Sequence, residues 1–152
     1  MAYDRTKLIA ELERDEDKRP LAYDDNDGKI IMPGTLVKGW VTVGIGRNLI
    51  GRGLEDDEIA YLLDNDIAHI EGQLDTNLPW WRGQTDARQR ALINLSFMGI
   101  GDLSHGLLSF RNMLAAWQAG DYQAAAEDLL KSKYAEETGM RAQRIAELIK
   151  EG

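Results

Sequence analysis

Glu16 and Asp25 stand nine positions apart in a chain of 152 residues, and their settings suit the two halves of acid–base chemistry. Glu16 closes a run of apolar-periodic residues, whereas Asp25 lies in Tyr23-Asp24-Asp25-Asn26-Asp27-Gly28, a polar turn sequence. Hydrolysis of a glycosidic bond asks for such a combination. One carboxyl, protonated, donates to the leaving oxygen; a second, ionised, activates water or attacks. Desolvation favours the protonated form of a carboxyl, and a polar, exposed turn favours the ionised one. Taken alone, the spacing is a weak signal that capping and surface acids meet more simply, and Asp24 competes with Asp25 for the second role.

These residues need elements to hold them. From Asp4 to about Asp17, Leu8, Ile9 and Leu12 fall on one stripe at helical spacing while Lys7, Arg14 and Asp15 point away, so an amphipathic helix ended by Pro20 is predicted. At about 100 degrees per residue, Glu16 falls within about 35 degrees of the centre of that stripe and Glu11 on the far side. Residues 21–48 alternate β-branched or aromatic with polar residues, and carry turn signals at Asn26-Asp27-Gly28 and Pro33-Gly34. They read as a small antiparallel sheet. Its clearest strand runs Gly39 to Gly46, with Val41, Val43 and Ile45 on one face and Trp40 and Thr42 on the other.

Beyond Gly51-Arg52-Gly53, the acids Glu55 to Glu58 open a helix whose face is Ile59, Leu62, Leu63, Asp66, Ile67 and Ile70. From Leu78 onward the pattern is helical, with segments at about 86–99, 106–118, 122–132 and 138–150. Ala91, Leu92, Ile93, Leu95, Phe97 and Met98 make the first of these apolar on nearly every side, which predicts a buried core helix. The expected fold is α+β, in one domain over 1–152. It has an N-terminal lobe over 1–54 carrying a helix and the β-sheet, a connecting helix over 55–75 and an all-helical lobe over 76–152.

Composition narrows the function further. The chain has no cysteine, so neither a disulfide nor a thiolate nucleophile is available. Net charge is −8, and residues 1–75 hold 17 acids against 9 bases while residues 76–152 hold 9 of each. That balance argues against nucleic acid as a partner, because a basic face normally supplies most of the affinity. Met1 to Lys7 lacks the basic start and apolar stretch of a signal peptide, and no apolar run approaches the ~20 residues of a membrane span.

Other motifs resolve less. Gly44-Ile45-Gly46 is followed by Leu49 where a dinucleotide loop needs a third glycine. His69 and His105 are the only histidines and are not at ligand spacing, so no zinc site is expected. Ser109 has no histidine at a telling distance. Trp80-Trp81 suits sugar stacking or lobe packing, with packing the more ordinary use.

The runs Asp15-Glu16, Tyr23-x-Asp25 and Thr42-Val43-Gly44-Ile45-Gly46 resemble the start of the phage lysozymes of glycoside hydrolase family 24. The resemblance continues in order through Arg90 to Asn94, Phe97-Met98-Gly99, Asn112-Met113-Leu114, Lys131-Ser132 and Arg141-Ala142-x-Arg144. It implies Glu16 as general acid, Asp25 as the residue positioning the attacking water and Thr42 as a second holder of that water. Arg141 would pair with the glutamate, and Asn94, Phe97 and Arg141 would contact substrate in a cleft between the lobes.

It further implies inverting cleavage of the β-1,4 bond between N-acetylmuramic acid and N-acetylglucosamine in peptidoglycan, with carboxyls roughly 6.5–9.5 Å apart. The glycan strand is then the partner, no cofactor or metal is needed, and the enzyme acts as a monomer. A chain without signal peptide or membrane insertion would wait in the host cytoplasm for a holin-type delivery system to release it for lysis. Two departures stand out: 16 residues separate Asp25 from Thr42, an extended hairpin over 26–41, and Arg47 takes the place of a histidine. A catalytically silent peptidoglycan-binding module, a lytic transglycosylase and action on chitin-like polymers remain as alternatives.

Overall fold

A computed structural model describes residues 3–152, and the chain forms two compact units, Met1–Ala60 and Tyr61–Gly152. The architecture is α+β, with seven α-helices and one three-stranded antiparallel sheet among the described residues.

The first unit opens with α1 (Arg5–Glu16), whose N-cap Asp4 accepts the Thr6 and Lys7 backbone N–H groups at 3.1 Å each. The helix stops well before Pro20. Asp17 adopts φ 60, the one left-handed non-glycine residue among those described, and Pro20 already belongs to a strand. No residue of α1 is buried, so the stripe of Leu8, Ile9 and Leu12 does not form a core within this unit.

The sheet is β1 (Arg19–Asp24), β2 (Val41–Gly44) and β3 (Arg47–Asn48), in that order. Tyr23 pairs with Thr42 and Asp24 with Val41, while Thr42 on its other side pairs with Asn48. The strand expected from Gly39 to Gly46 is therefore only four residues long. Gly44 and Gly46 both take φ 67, a conformation that turns the chain back toward β3. Thr42 is buried against this sheet together with its partner Tyr23, while Val41 and Val43 are half-buried and Ile45 is exposed. The long connection between β1 and β2 makes both expected turns, and Ile30 forms an isolated bridge with Tyr23.

Helix α2 (Asp56–Asn77) crosses the division between the units and carries Asp56, Asp57 and Glu58 in its first turn, where the helix dipole favours acids. Of its expected apolar face only Ile70 is buried, joined one turn later by Leu74.

The second unit is all helical: α3 (Asp86–Ser96), α4 (Arg111–Gln118), α5 (Tyr122–Leu130), α6 (Lys133–Thr138) and α7 (Met140–Glu151). Short 3-10 turns at Trp81–Gly83 and Leu107–Ser109 complete it, the second replacing the expected start of α4 at Gly106. Helix α6, capped by Ser132, occupies a stretch expected to be a break. Leu92, Leu95, Leu107, Trp117, Leu129, Ile145 and Ile149 are almost wholly buried together. Each such side chain contributes roughly 1.5–3 kcal/mol relative to exposure. The core also takes Trp81, while Trp80 packs at 6.4 Å between ring centroids from Trp117, so this pair is used for packing. Arg88 closes the end of α7 by donating to the Ile149 and Lys150 carbonyls, which have no intrahelical partner. Among the described residues, no helix is long and apolar enough to cross a membrane.

Candidate active-site residues

Glu16 is the last residue of α1, and its carboxyl is exposed. It lies against the turn between β2 and β3: a Cβ placed on Gly46 would stand 3.2 Å from Glu16 Oε2 and 3.6 Å from its carboxyl carbon. The expectation of an apolar seat for Glu16 is thus replaced by an exposed place beside the space that a side chain at Gly46 would fill. Gly46 serves twice here, since its φ of 67 disfavours a side chain and its missing Cβ leaves room for the carboxyl.

The two neighbouring aspartates part company at the end of β1. Asp24 is 4% exposed and accepts three backbone N–H groups, from Lys38 at 2.7 Å, Gly39 at 2.9 Å and Asn26 at 3.0 Å. The N–H groups of Lys38 and Asn26, ahead of that of Gly39, hold its carboxyl below the ordinary carboxylate range. Its work is to close the long connection onto the sheet. Asp25 is exposed, and it continues the ladder by donating its N–H to the Trp40 carbonyl at 3.1 Å and accepting the Trp40 N–H on Oδ1 at 2.6 Å. Gly39 is required between them, because a Cβ there would collide with both carboxylates.

Thr42 is buried, and its hydroxyl donates to the Trp40 carbonyl at 3.3 Å. Beyond the Tyr23–Thr42 strand pair, the Asp25 N–H and the Trp40 carbonyl bond two residues further along each chain, extending the pairing past the ends of β1 and β2. Arg47 is not available to neighbouring carboxylates such as Glu16. Its guanidinium donates to both oxygens of Glu58, one of them at 2.6 Å, and to the Gly53 carbonyl at 3.0 Å. Glu58 in turn accepts the Glu55 N–H at 2.8 Å, so the Arg47 pair ties β3 to the start of α2. The Arg47 ion pair, followed by that N–H, pulls the Glu58 carboxyl down to about 2.

Asn94, Phe97 and Arg141 come together in the second unit. They line a pocket of about 490 Å³ whose other walls are Leu63, Ile67, Ile93 and Arg90. Arg141 donates Nε to Asn94 Oδ1 at 3.0 Å and Nη2 to the Asn94 carbonyl at 3.0 Å and to Oδ1 at 2.8 Å. Phe97 and Met98, expected in the core, are instead exposed at 44% and 38%, because α3 ends at Ser96 and the chain turns away. Among the described residues, no three His, Cys, Asp or Glu side chains are grouped as metal ligands.

Sequence reasoning missed the structural roles of Gly46 beside Glu16 and of Gly39 and Asp24 beside Asp25. The signal was present in the Gly-x-Gly following Thr42, read only as a motif. The roles of Gly39 and Asp24 depend on a closure across 14 or 15 residues, which no local pattern reports.

No family model matches the chain. Over 114 residues, 71% of this chain, it is 30% identical to the pre-baseplate central spike protein Gp5 of Enterobacteria phage T4. The chain spans 19% of the length of that phage protein.

Proposed function

We propose that the chain is a lysozyme-type glycoside hydrolase that cleaves the β-1,4 bond between N-acetylmuramic acid and N-acetylglucosamine in peptidoglycan. The observation that carries this reading is the exposed Glu16 carboxyl beside Gly46, in the same unit as a second exposed carboxylate, Asp25, whose N–H shares the Trp40 carbonyl with the Thr42 hydroxyl. The similarity to a phage spike protein supports a phage setting.

In this mechanism Glu16 gives its proton to the glycosidic oxygen as the bond to the anomeric carbon breaks. A water attacks that carbon from the opposite face, and Asp25 takes its proton, so the anomeric configuration inverts. Thr42 spends its hydroxyl proton on the Trp40 carbonyl and therefore meets the water as an acceptor. With Asp25 and Thr42 both accepting, the water's two protons are engaged and its lone pair is directed at carbon. Within the second unit's own pocket, Asn94, Phe97 and Arg141 offer the glycan strand an aromatic face for sugar C–H groups and the Arg141–Asn94 pair for polar substituents. No cofactor enters, and the functional form is a monomer.

Release of reducing ends from purified peptidoglycan by the wild type and by Glu16→Gln, both checked for folding by circular dichroism, tests the reading. Loss of the acid should cost at least about 100-fold. Equal cutting by the two proteins removes Glu16 from the mechanism. Failure of both to cut, with retention on cell walls, makes the chain a binding module.

A second reading concerns place and keeps the chemistry. Similarity to a pre-baseplate central spike protein favours a module carried by the phage particle, whereas a holin-released enzyme would act from the host cytoplasm at lysis. Mass spectrometry of purified particles and of cleared lysate separates these.

A further inference from the structure

We infer that Trp40 is a sugar-stacking platform next to the water-positioning aspartate, a subsite for one pyranose ring of the glycan strand; the inference rests on the reading of the chain as a glycan hydrolase. The four tryptophans are used in two ways. Trp81 and Trp117 are buried in the second unit's core at 1% and 0% exposure, and Trp80 packs against Trp117. Trp40 is 52% exposed, on the loop that enters β2.

Its backbone is held on both sides. The N–H donates to Asp25 Oδ1 and the carbonyl accepts from the Asp25 N–H and the Thr42 hydroxyl. Three polar contacts thus fix the backbone of a large aromatic residue to two residues proposed to hold the water, while the indole itself stays in solvent. The exposed indole forgoes burial that the other tryptophans obtain, and what sets it apart from other exposed apolar side chains is that its backbone is bonded to Asp25 and Thr42. The ring has a negative face and a low conformational-entropy cost on binding. A pyranose ring offers the complement, a face of weakly positive C–H groups, and its hydroxyls need no partner from the indole face.

The loop that delivers Trp40 explains why a platform belongs there. Asp24 binds the N–H groups of Lys38 and Gly39, so the residue next in sequence to that clamp is fixed relative to Asp25. A ring stacked on Trp40 is thereby registered against the Asp25 carboxylate.

The test uses soluble glycan strands stripped of peptide, with the full chain and three variants. Trp40→Ala should raise KM roughly tenfold, the scale of one ring stacked on an aromatic side chain, with most of the loss in kcat/KM arising there. Trp40→Phe should recover most of that loss. Leu36→Ala, which trims an apolar side chain 81% exposed on the same connection, should leave KM unchanged. An unchanged KM in Trp40→Ala, with the wild type cutting normally, overturns the platform and leaves the hydrolase intact. So does an equal rise in Leu36→Ala, which would reduce the effect to generic surface loss. If the wild type does not cut, calorimetric binding of the same strands decides. Weaker binding in Trp40→Ala, restored in Trp40→Phe, upholds the platform while the hydrolase reading fails; no binding, or equal binding, overturns it.

Discussion

Asp24 and Asp25 adjoin in the chain, yet one carboxylate is enclosed by three backbone N–H donors and the other, in solvent, accepts one. This difference assigns them opposite fates on substitution. Asp25→Asn should lose at least about 100-fold in hydrolysis with little change in melting temperature, because proton acceptance from water is what it removes. A lytic transglycosylase would retain activity in the same variant. Asp24→Asn presents an NH2 group to backbone donors that need acceptors, so it should lower the melting temperature and lower activity only as the fold loosens. Calorimetry and reducing-end release on both variants check the pair; a thermally silent Asp24→Asn that abolishes hydrolysis would exchange their roles.

Gly44 and Gly46 offer a matched comparison for the seat of Glu16. Both have φ 67, so an alanine at either should cost about 1–2 kcal/mol of backbone strain. Only at Gly46 does the new Cβ meet the Glu16 carboxyl, while at Gly44 nothing lies within 4 Å. Equal losses of stability are therefore expected, with kcat falling roughly tenfold in Gly46→Ala alone as the acid is displaced. Urea unfolding beside single-turnover kinetics measures the two effects separately.

Local patterning carries α1, the turns signalled at 26–28 and 33–34, and the four long helical stretches of the second unit, because each is set by neighbours within a few residues. What patterning cannot carry is pairing at a distance. Arg47 reads only as standing in the place of a histidine until Glu58 meets it 11 residues on, and Asp24 reads as a rival to Asp25 until residues 38 and 39 fold back over it. Phe97 and Met98 continue the apolar run of α3, and only the end of the helix at Ser96 releases them from the core. Helix α6 escapes because six residues give too few turns for periodicity to register.

Arg141 and Asn94 are joined by three hydrogen bonds between α7 and α3, 47 positions apart in the chain. Arg141→Ala and Asn94→Ala should be non-additive, with a coupling of about 0.5–1.5 kcal/mol in denaturant unfolding. Asn94→Ala should be the milder change, because the Asn94 main-chain carbonyl survives to accept from Arg141. Additive effects would mean that the pair does not persist in solution.

The Arg47–Glu58 pair predicts the acid side of the first unit's stability. The Glu58 carboxyl is lowered from an ordinary value of 4.5 to about 2, chiefly by the Arg47 guanidinium. A depressed folded value means that the unfolded chain takes up the proton first. The stabilising contribution is therefore complete above about pH 4.5 and is lost as pH falls toward 2. In Glu58→Gln that contribution is absent at every pH. The melting temperatures of wild type and variant should differ most near neutral pH and converge across this window. Because both side chains retain partial exposure, at 22% and 31%, added salt should narrow the gap at neutral pH. The absence of a gap at any pH would show that Glu58 acts only through its bond to the Glu55 N–H, since the glutamine amide oxygen can accept that bond at any pH.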